Sequence, residues 1–144
     1  MKWLLSLALF IFSFATIGCS QKITEKDLLA AVKTAFTTKF PGATDIKWGK
    51  ENAKEYEAEF KHNNTSVSAN FKTDGTWTET ETTILSSELP AAVTDAVKTK
   101  YPGAVYGITE KIEKPGAKIL YEVNITVNGK KKELELNSDG VIVK

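Results

Sequence analysis

Few residues in this chain have the types and spacing that chemistry needs. His62 is the only histidine and Cys19 the only cysteine. A serine or cysteine nucleophile needs a base that is itself oriented, and His62 lies beside Lys61 and Asn63-Asn64 with no acidic neighbour in sequence. No zinc set with the usual ligand spacing can be assembled from one histidine and one cysteine. Carboxylates are what remain. Glu55, Glu57 and Glu59 recur at every second position, which on a strand places all three on one face. Paired carboxylates can do acid–base work, but the same spacing is how a sheet face stays wet. Asp74-Gly75 and Asp139-Gly140 offer oxygen ligands of the kind calcium takes. Neither turn carries further alternating carboxylates, so both read first as hairpin turns, with Asp74 and Asp139 as weak metal candidates. The chain reads as non-catalytic and without a cofactor.

The elements that position these residues occur twice. Ala30-Ala31-Val32-Lys33-Thr34-Ala35-Phe36-Thr37-Thr38-Lys39-Phe40-Pro41-Gly42-Ala43 returns 61 positions later as Ala91 to Ala104, with nine of fourteen positions identical. Leu28, Leu29, Val32, Ala35, Phe36 and Phe40 form one apolar stripe at three- and four-residue steps, which predicts a helix. Thr24-Glu25-Lys26-Asp27 has the spacing of a capping box at its start, and Pro41-Gly42 stops it. The second helix repeats the plan with Leu89, Val93, Ala96, Val97 and Tyr101, Ser87 as candidate cap and Pro90 in its first turn.

After each helix the period changes to two. Ile46 and Trp48, then Tyr56, Ala58 and Phe60, then Val67, Ala69 and Phe71 alternate with polar residues. Tyr121, Val123 and Ile125 do the same in the second unit, followed by Leu134 and Leu136. Such alternation predicts antiparallel strands with one buried and one wet face. Tyr56 and Asp74-Gly75 match Tyr121 and Asp139-Gly140 at an offset of 65. The second unit therefore carries about four extra residues, placed at a longer hairpin around Glu113-Lys114-Pro115-Gly116. The expected fold is α+β: two tandem α-plus-four-strand repeats, residues 24–84 and 85–144. They build one antiparallel sheet of about eight strands with both helices on one face, as one cooperative domain. The opposite face is the candidate binding surface. It should carry Glu55, Glu57, Glu59, Ser66, Ser68, Asn70, Glu122, Asn124, Thr126, Lys131, Glu133 and Glu135.

Trp77 depends on the turn before it. A two-residue Asp74-Gly75 loop puts Trp77 on the wet face with Glu79 and Glu81. A three-residue loop with a glycine bulge pairs Phe71 with Trp77 in the core, and makes Leu136 and Ile142 the matching core pair. The second geometry is the better fit for a bulky aromatic.

The first residues differ from the rest. Lys2 is followed by sixteen uncharged residues, Trp3 to Gly18, rich in leucine and phenylalanine. That is shorter than the roughly 20 apolar residues of a membrane-spanning helix and reads as a secretory signal. Cys19, directly after Gly18, resembles a lipobox cysteine, although Thr16 stands where leucine is preferred. The expectation is a signal at 1–18, lipidation at Cys19 and a short tether at 19–23. The protein would be exported to the periplasm or outer membrane and held there by its lipid alone. Without Lys2 the chain has eighteen lysines against eighteen acids and no arginine, a balance that argues against nucleic acid.

Across residues 24–144 the pattern resembles a known group. Helices closed by Phe40-Pro41-Gly42 and Tyr101-Pro102-Gly103, the Ile46-x-Trp48 strand, strands carrying Tyr56-Glu57 and Tyr121-Glu122, and closing Asp-Gly turns are similar to the PepSY-like, β-lactamase-inhibitor-like periplasmic proteins of the Bacteroidetes. The resemblance implies tandem α-plus-four-strand units and an inhibitory or protein-binding role, and it transfers no site residue. The expected function is a lipid-anchored envelope module that binds another protein or a peptide. The alternative is a small-ligand or calcium-binding module.

Overall fold

The computed structural model describes residues 21–144; the expected signal segment and the expected lipidation site, Cys19, lie outside the described residues. The chain runs β1 (Gln21–Ile23), α1 (Ala30–Lys39), β2 (Thr44–Asn52), β3 (Glu55–His62), β4 (Thr65–Lys72), β5 (Trp77–Ile84), α2 (Ala91–Lys100), β6 (Val105–Lys114), β7 (Lys118–Val127) and β8 (Lys130–Asn137). The eight strands form one sheet in sequential order, each antiparallel to its neighbour. Four strands follow α1 and three follow α2. The eighth is β1, formed by the expected tether, which pairs with β2 through Ile23 and Trp48. In the second unit the fourth strand shrinks to a bridge between Leu136 and Ile142.

Both helices cover the same face of the sheet, each over its own core. Under α1, Phe36 is ringed by Phe40, Trp48, Phe60 and Phe71 at centroid distances of 5.6, 5.0, 5.0 and 6.2 Å. Under α2 the core is aliphatic, with Leu89, Val93 and Val97 against Val123, Ile125, Leu134 and Leu136. The two clusters are separate, and the sheet runs through both by the β5–β6 pairing.

The helices begin later than the sequence suggests. Asp27 accepts hydrogen bonds from the Thr24 backbone N–H (3.1 Å) and hydroxyl (2.7 Å), but this box closes a 3₁₀ turn at Glu25–Asp27. Leu28 and Leu29 are then extended, and α1 starts at Ala30. The second unit repeats this, with Glu88 accepting from the Leu85 N–H at 2.6 Å. Ser87 lies inside that 3₁₀ turn and Pro90 takes the N-cap position. Proline forces Leu89 out of helical geometry, so no helix can run through the junction.

The repeated Asp-Gly turns have a packing reason. Gly75 has φ +87°, and a Cβ there would lie 2.7 Å from the Ala31 carbonyl oxygen in the first turn of α1. Gly140, at φ +80°, meets the Ala92 carbonyl of α2 in the same way. Only glycine combines that backbone angle with so close an approach. The four extra residues of the second unit fall at the β6–β7 hairpin, where Lys114 pairs with Lys118 around Pro115, Gly116 and Ala117.

Four register slips adjust the alternation: at Thr44–Lys47 and Lys50–Asn52 of β2, between Trp77 and Glu79 of β5, and at Tyr106–Thr109 of β6. Asp45 takes φ +53° and the β2–β3 register slips between Thr44 and Lys47. Trp48 is buried as expected, but Ile46 falls on the bulge and is 41% exposed. At the Asp74-Gly75 turn the Lys72 N–H donates to the Thr76 carbonyl (2.8 Å) and Phe71 pairs with Trp77, the three-residue geometry. Trp77 is half-buried against the α1 core, its indole N–H donates to Thr80 Oγ1 (2.9 Å), and the Lys39 ammonium sits 3.7 Å from its ring centroid.

Candidate binding face

Residues opposite one another in the ladder share a face, so the register shows which side chains stand together. Tyr56 pairs with Phe71 and Phe60 with Val67 on the helix side. The intervening rows are Glu57–Asn70–Glu79, Glu59–Ser68–Glu81 and Glu110–Glu122–Glu135, with Asn124 opposite Glu133 and Thr126 opposite Lys131. Glu55 and Ser66 lie at the two ends of the β3–β4 pair, opposite Lys72 and Lys61. All twelve residues expected on the open face are there.

Three acids on this face escape the expectation: Glu79, Glu81 and Glu110. An extra residue explains the first two. Thr78 bulges out between the Phe71–Trp77 and Asn70–Glu79 pairs, its hydroxyl donating to the Asn70 carbonyl at 3.2 Å. Trp77 thus faces the helices while Glu79 and Glu81 still face the other way, a combination that simple alternation forbids. Glu110 follows from its register with Thr83 and Glu122. The same register puts Ile112 and Leu120 on the open side, opposite Glu81 and each other. Both are buried and belong to neither helix-side cluster. They give the face an apolar floor.

Carboxylates over an apolar floor are hard to ionise. Burial pushes the Glu81 carboxyl up to about 7, helped by the negative charges of Glu79, Glu110 and Glu122 and opposed by the Ser68 hydroxyl, which donates at 3.3 Å. Glu110 is raised mainly by burial, against the bond from Thr83. Glu122 is likewise raised by burial, against the bond from Asn124 and with the charges of Glu133 and Glu110 adding to it. Counter-charge comes from two lysines, Lys114 on Glu79 (3.1 Å) and Lys144 on Glu133 (3.3 Å). Burial works against the Lys114 ammonium, but its bond to Glu79 prevails and raises it overall. Asn70 donates to Glu79 at 3.4 Å, while its buried Oδ1 has no donor. A hollow of about 380 Å³ opens on this side, lined among others by Glu57, Glu59, Ser66, Ser68, Glu81 and Glu110.

The remaining candidates lie elsewhere. Asp74 accepts from the Thr76 N–H at 2.8 Å within its own turn, and this bond holds its carboxyl below the usual range. The Asp139 turn is tied by Asn137 Oδ1, which accepts from the Asp139 and Val141 N–H groups. Among the described residues, no three His, Cys, Asp or Glu side chains converge as a metal set. The His62 ring nitrogen lies 3.3 Å from the Pro41 carbonyl oxygen, with the Phe40 and Phe60 rings beside it.

The family comparison likewise finds the chain matched twice. The family described as "Putative beta-lactamase-inhibitor-like, PepSY-like" matches residues 16–67 and again residues 54–144. The chain belongs to this family. The PepSY-like protein resembles several solved structures from Bacteroides. One is a DUF2874 family protein of Bacteroides ovatus, 21% identical, with 81% of this chain and 85% of that one covered and a TM-score of 0.73. A second, described among "putative periplasmic proteins" of Bacteroides eggerthii, is 20% identical over 81% and 86% of the two chains, with a TM-score of 0.75. A third, a BLIP-like protein of Bacteroides fragilis, is 26% identical over 81% and 84%, with a TM-score of 0.70. No curated protein matches the chain at a significant level. Among the described residues of the PepSY-like protein, no helix is long and apolar enough to cross a membrane.

Proposed function

We propose that this PepSY-like protein is an exported, lipid-anchored, non-catalytic module of the periplasm. It binds another protein or a peptide across the open face of its sheet, inhibition being one form that binding would take. The observation that carries this reading is the face itself: hollowed, uncovered by either helix, and crossed by rows of carboxylates among which burial raises Glu81, Glu110 and Glu122 above the ordinary range. Rows of acceptors with a buried unpaired amide oxygen fit a partner that brings donors. The printed descriptions of the B. eggerthii and B. fragilis structures, periplasmic and BLIP-like, point the same way.

The test is capture from solubilised envelopes on the immobilised protein. A reproducible partner that is lost when Glu59, Glu81 and Glu110 are replaced by glutamine supports the proposal. Absence of any reproducible partner, or a partner retained by that variant, counts against it.

A further inference from the structure

The duplication supplies an internal control for the open face. Positions 61 apart occupy the same place in the fold: the Thr24 N–H is held by Asp27 and the Leu85 N–H by Glu88, while Thr44 and Val105 open β2 and β6. At three exposed positions the first unit is polar and the second apolar. Thr24 becomes Leu85, Thr44 becomes Val105 and Lys47 becomes Ile108. The apolar three are 69%, 67% and 63% exposed, so none of them serves the core. Leu85 even displaces a hydroxyl that in the first unit bonds Asp27. The exchange runs the other way at Ile46, which becomes Gly107, at Leu29, which becomes Pro90, and at the buried Trp48, which becomes Thr109.

These three residues are neighbours on the open side. Ile84 pairs with Thr109 on the helix face at the end of the β5–β6 ladder, and Leu85 and Ile108 lie just beyond that pair. Ile108 falls in the β6 register slip between Tyr106 and Thr109, which matches the slip ending at Lys47, opposite Glu59 on the open face of the first unit. Val105 stands opposite Thr126, an open-face position. Two residues along β6 from Ile108 begins the row Glu110–Glu122–Glu135, three acids directly opposite one another on adjacent strands. The matching row of the first unit is Gly49–Glu57–Asn70. Like charges directly opposite oppose sheet formation, and exposed aliphatics add nothing to folding. The second unit has acquired both, side by side.

We propose that this corner of the second unit is a docking site for a segment of a partner protein that presents aliphatic side chains followed by lysine or arginine. The aliphatic part would sit on Leu85, Val105 and Ile108, and the cations would answer the Glu110–Glu122–Glu135 row. Charge complementarity selects this occupant: Lys144 and Lys114, already paired to Glu133 and Glu79, offset the row only in part, and an acidic segment would add to its negative charge. The inference rests on the binding function proposed above and names the chemistry of its partner.

The test uses labelled synthetic peptides as probes: an aliphatic pair followed by lysines, the lysines alone, and the aliphatic pair followed by glutamates. Fluorescence anisotropy at several salt concentrations reads binding to the folded protein. The first peptide is expected to bind saturably and the lysine-only peptide about tenfold more weakly. The combined substitution Leu85→Thr, Val105→Thr and Ile108→Lys restores first-unit residues at exposed positions, and thermal melting checks that it remains folded. It should weaken the first peptide by about tenfold. Glu110→Gln with Glu122→Gln should weaken it similarly and flatten its salt dependence. Equal binding of the lysine-only peptide, or unchanged binding by the restored variant, overturns the proposal. So does sedimentation showing that the patch holds two copies of this chain together. An envelope partner captured equally by wild type and restored variant would sink this partner chemistry while leaving the binding function standing. Peptide binding as expected with no captured partner would do the reverse.

Discussion

Glu81 makes the electrostatics of the open face measurable. Its carboxyl is raised from the ordinary 4.5 to about 7 by burial over Ile112 and by the neighbouring acids. A glutamate with a raised folded-state value binds more protons folded than unfolded across that window. Stability therefore falls as pH rises from about 4.5 to about 7 and stays reduced above it. A shift of that size corresponds to about 3 kcal/mol at most, at about 1.36 kcal/mol per unit. Part of the side chain remains in water and screened, so about 1–2 kcal/mol is the working figure. Glu81→Gln removes the charge and keeps an acceptor for the Ser68 hydroxyl. Urea or thermal unfolding of both proteins from pH 4 to pH 8.5 is the assay. The glutamine variant should be the more stable at pH 8, with Tm higher by roughly 3–8 °C for a chain of this size. The difference should narrow through pH 5 and close toward pH 4 and below, under the ordinary value of 4.5, where the wild-type carboxyl is protonated in both states. Glu110 and Glu122 are present in both proteins, so the difference reports Glu81 together with its coupling to them. A constant difference across the range, or a variant no more stable at pH 8, refutes the reasoning.

The other expectations concern the fold and the anchor. Gly75→Ala should cost about 2–4 kcal/mol in urea unfolding, from the positive φ and the overlap with Ala31 together. Gly42→Ala, equally positive in φ but with nothing within 4 Å, should lose only about 1–2 kcal/mol. Phe36→Ala removes the ring at the centre of the first core and should cost about 3–5 kcal/mol. If the two helix-side clusters fold as one body through the shared sheet, α2 amides should lose hydrogen-exchange protection along with those of α1; loss confined to the first unit would show two independent bodies. Cys19→Ser should release the protein from membranes in fractionation, because more than one acyl chain at about 0.8 kcal/mol per methylene makes a stable anchor. Retention of that mutant would remove the lipid anchor from the proposal.

Helices and strands were legible because packing imposes a period. Val32, Phe36, Tyr56, Ala58 and Phe60 on one unit, and Val93, Val97, Val123 and Ile125 on the other, had to face the helix-side core, and they do. What escaped was local geometry that leaves the period intact on both sides while shifting its phase. Thr78 is one added residue, with no glycine or proline to mark it, yet it decides that Glu79 and Glu81 join the open face. Asp45 takes a left-handed angle that exposes Ile46 beside a buried Trp48. The Thr24 box was a sound capping signal attached to a 3₁₀ turn, because capping chemistry satisfies N–H groups without fixing how far the helix then runs. Ile112 and Leu120 escaped for the opposite reason. Apolar residues in a strand read as helix-facing, but Ile112 stands opposite Glu81 and Leu120 opposite Ile112, which puts both on the other side.

The two copies keep a set of helix-contacting residues although their cores differ, aromatic under α1 and aliphatic under α2, and they also differ at several open-side positions. Ala31 and Ala92, Val32 and Val93, Tyr56 and Tyr121, and Gly75 and Gly140 are identical pairs, and each faces or abuts the helix-side packing. Gly49 and Glu110, Asn70 and Glu135, Thr24 and Leu85, and Lys47 and Ile108 are unlike pairs, and each belongs to the open side or its margin. Packing explains the first set, since a change there leaves a cavity or a clash of several kcal/mol. It cannot explain the second, because solvated positions tolerate almost any polar residue and have no use for an exposed leucine or a row of opposed glutamates. The docking site proposed above would supply the requirement outside folding that distinguishes the second unit's open face from the first.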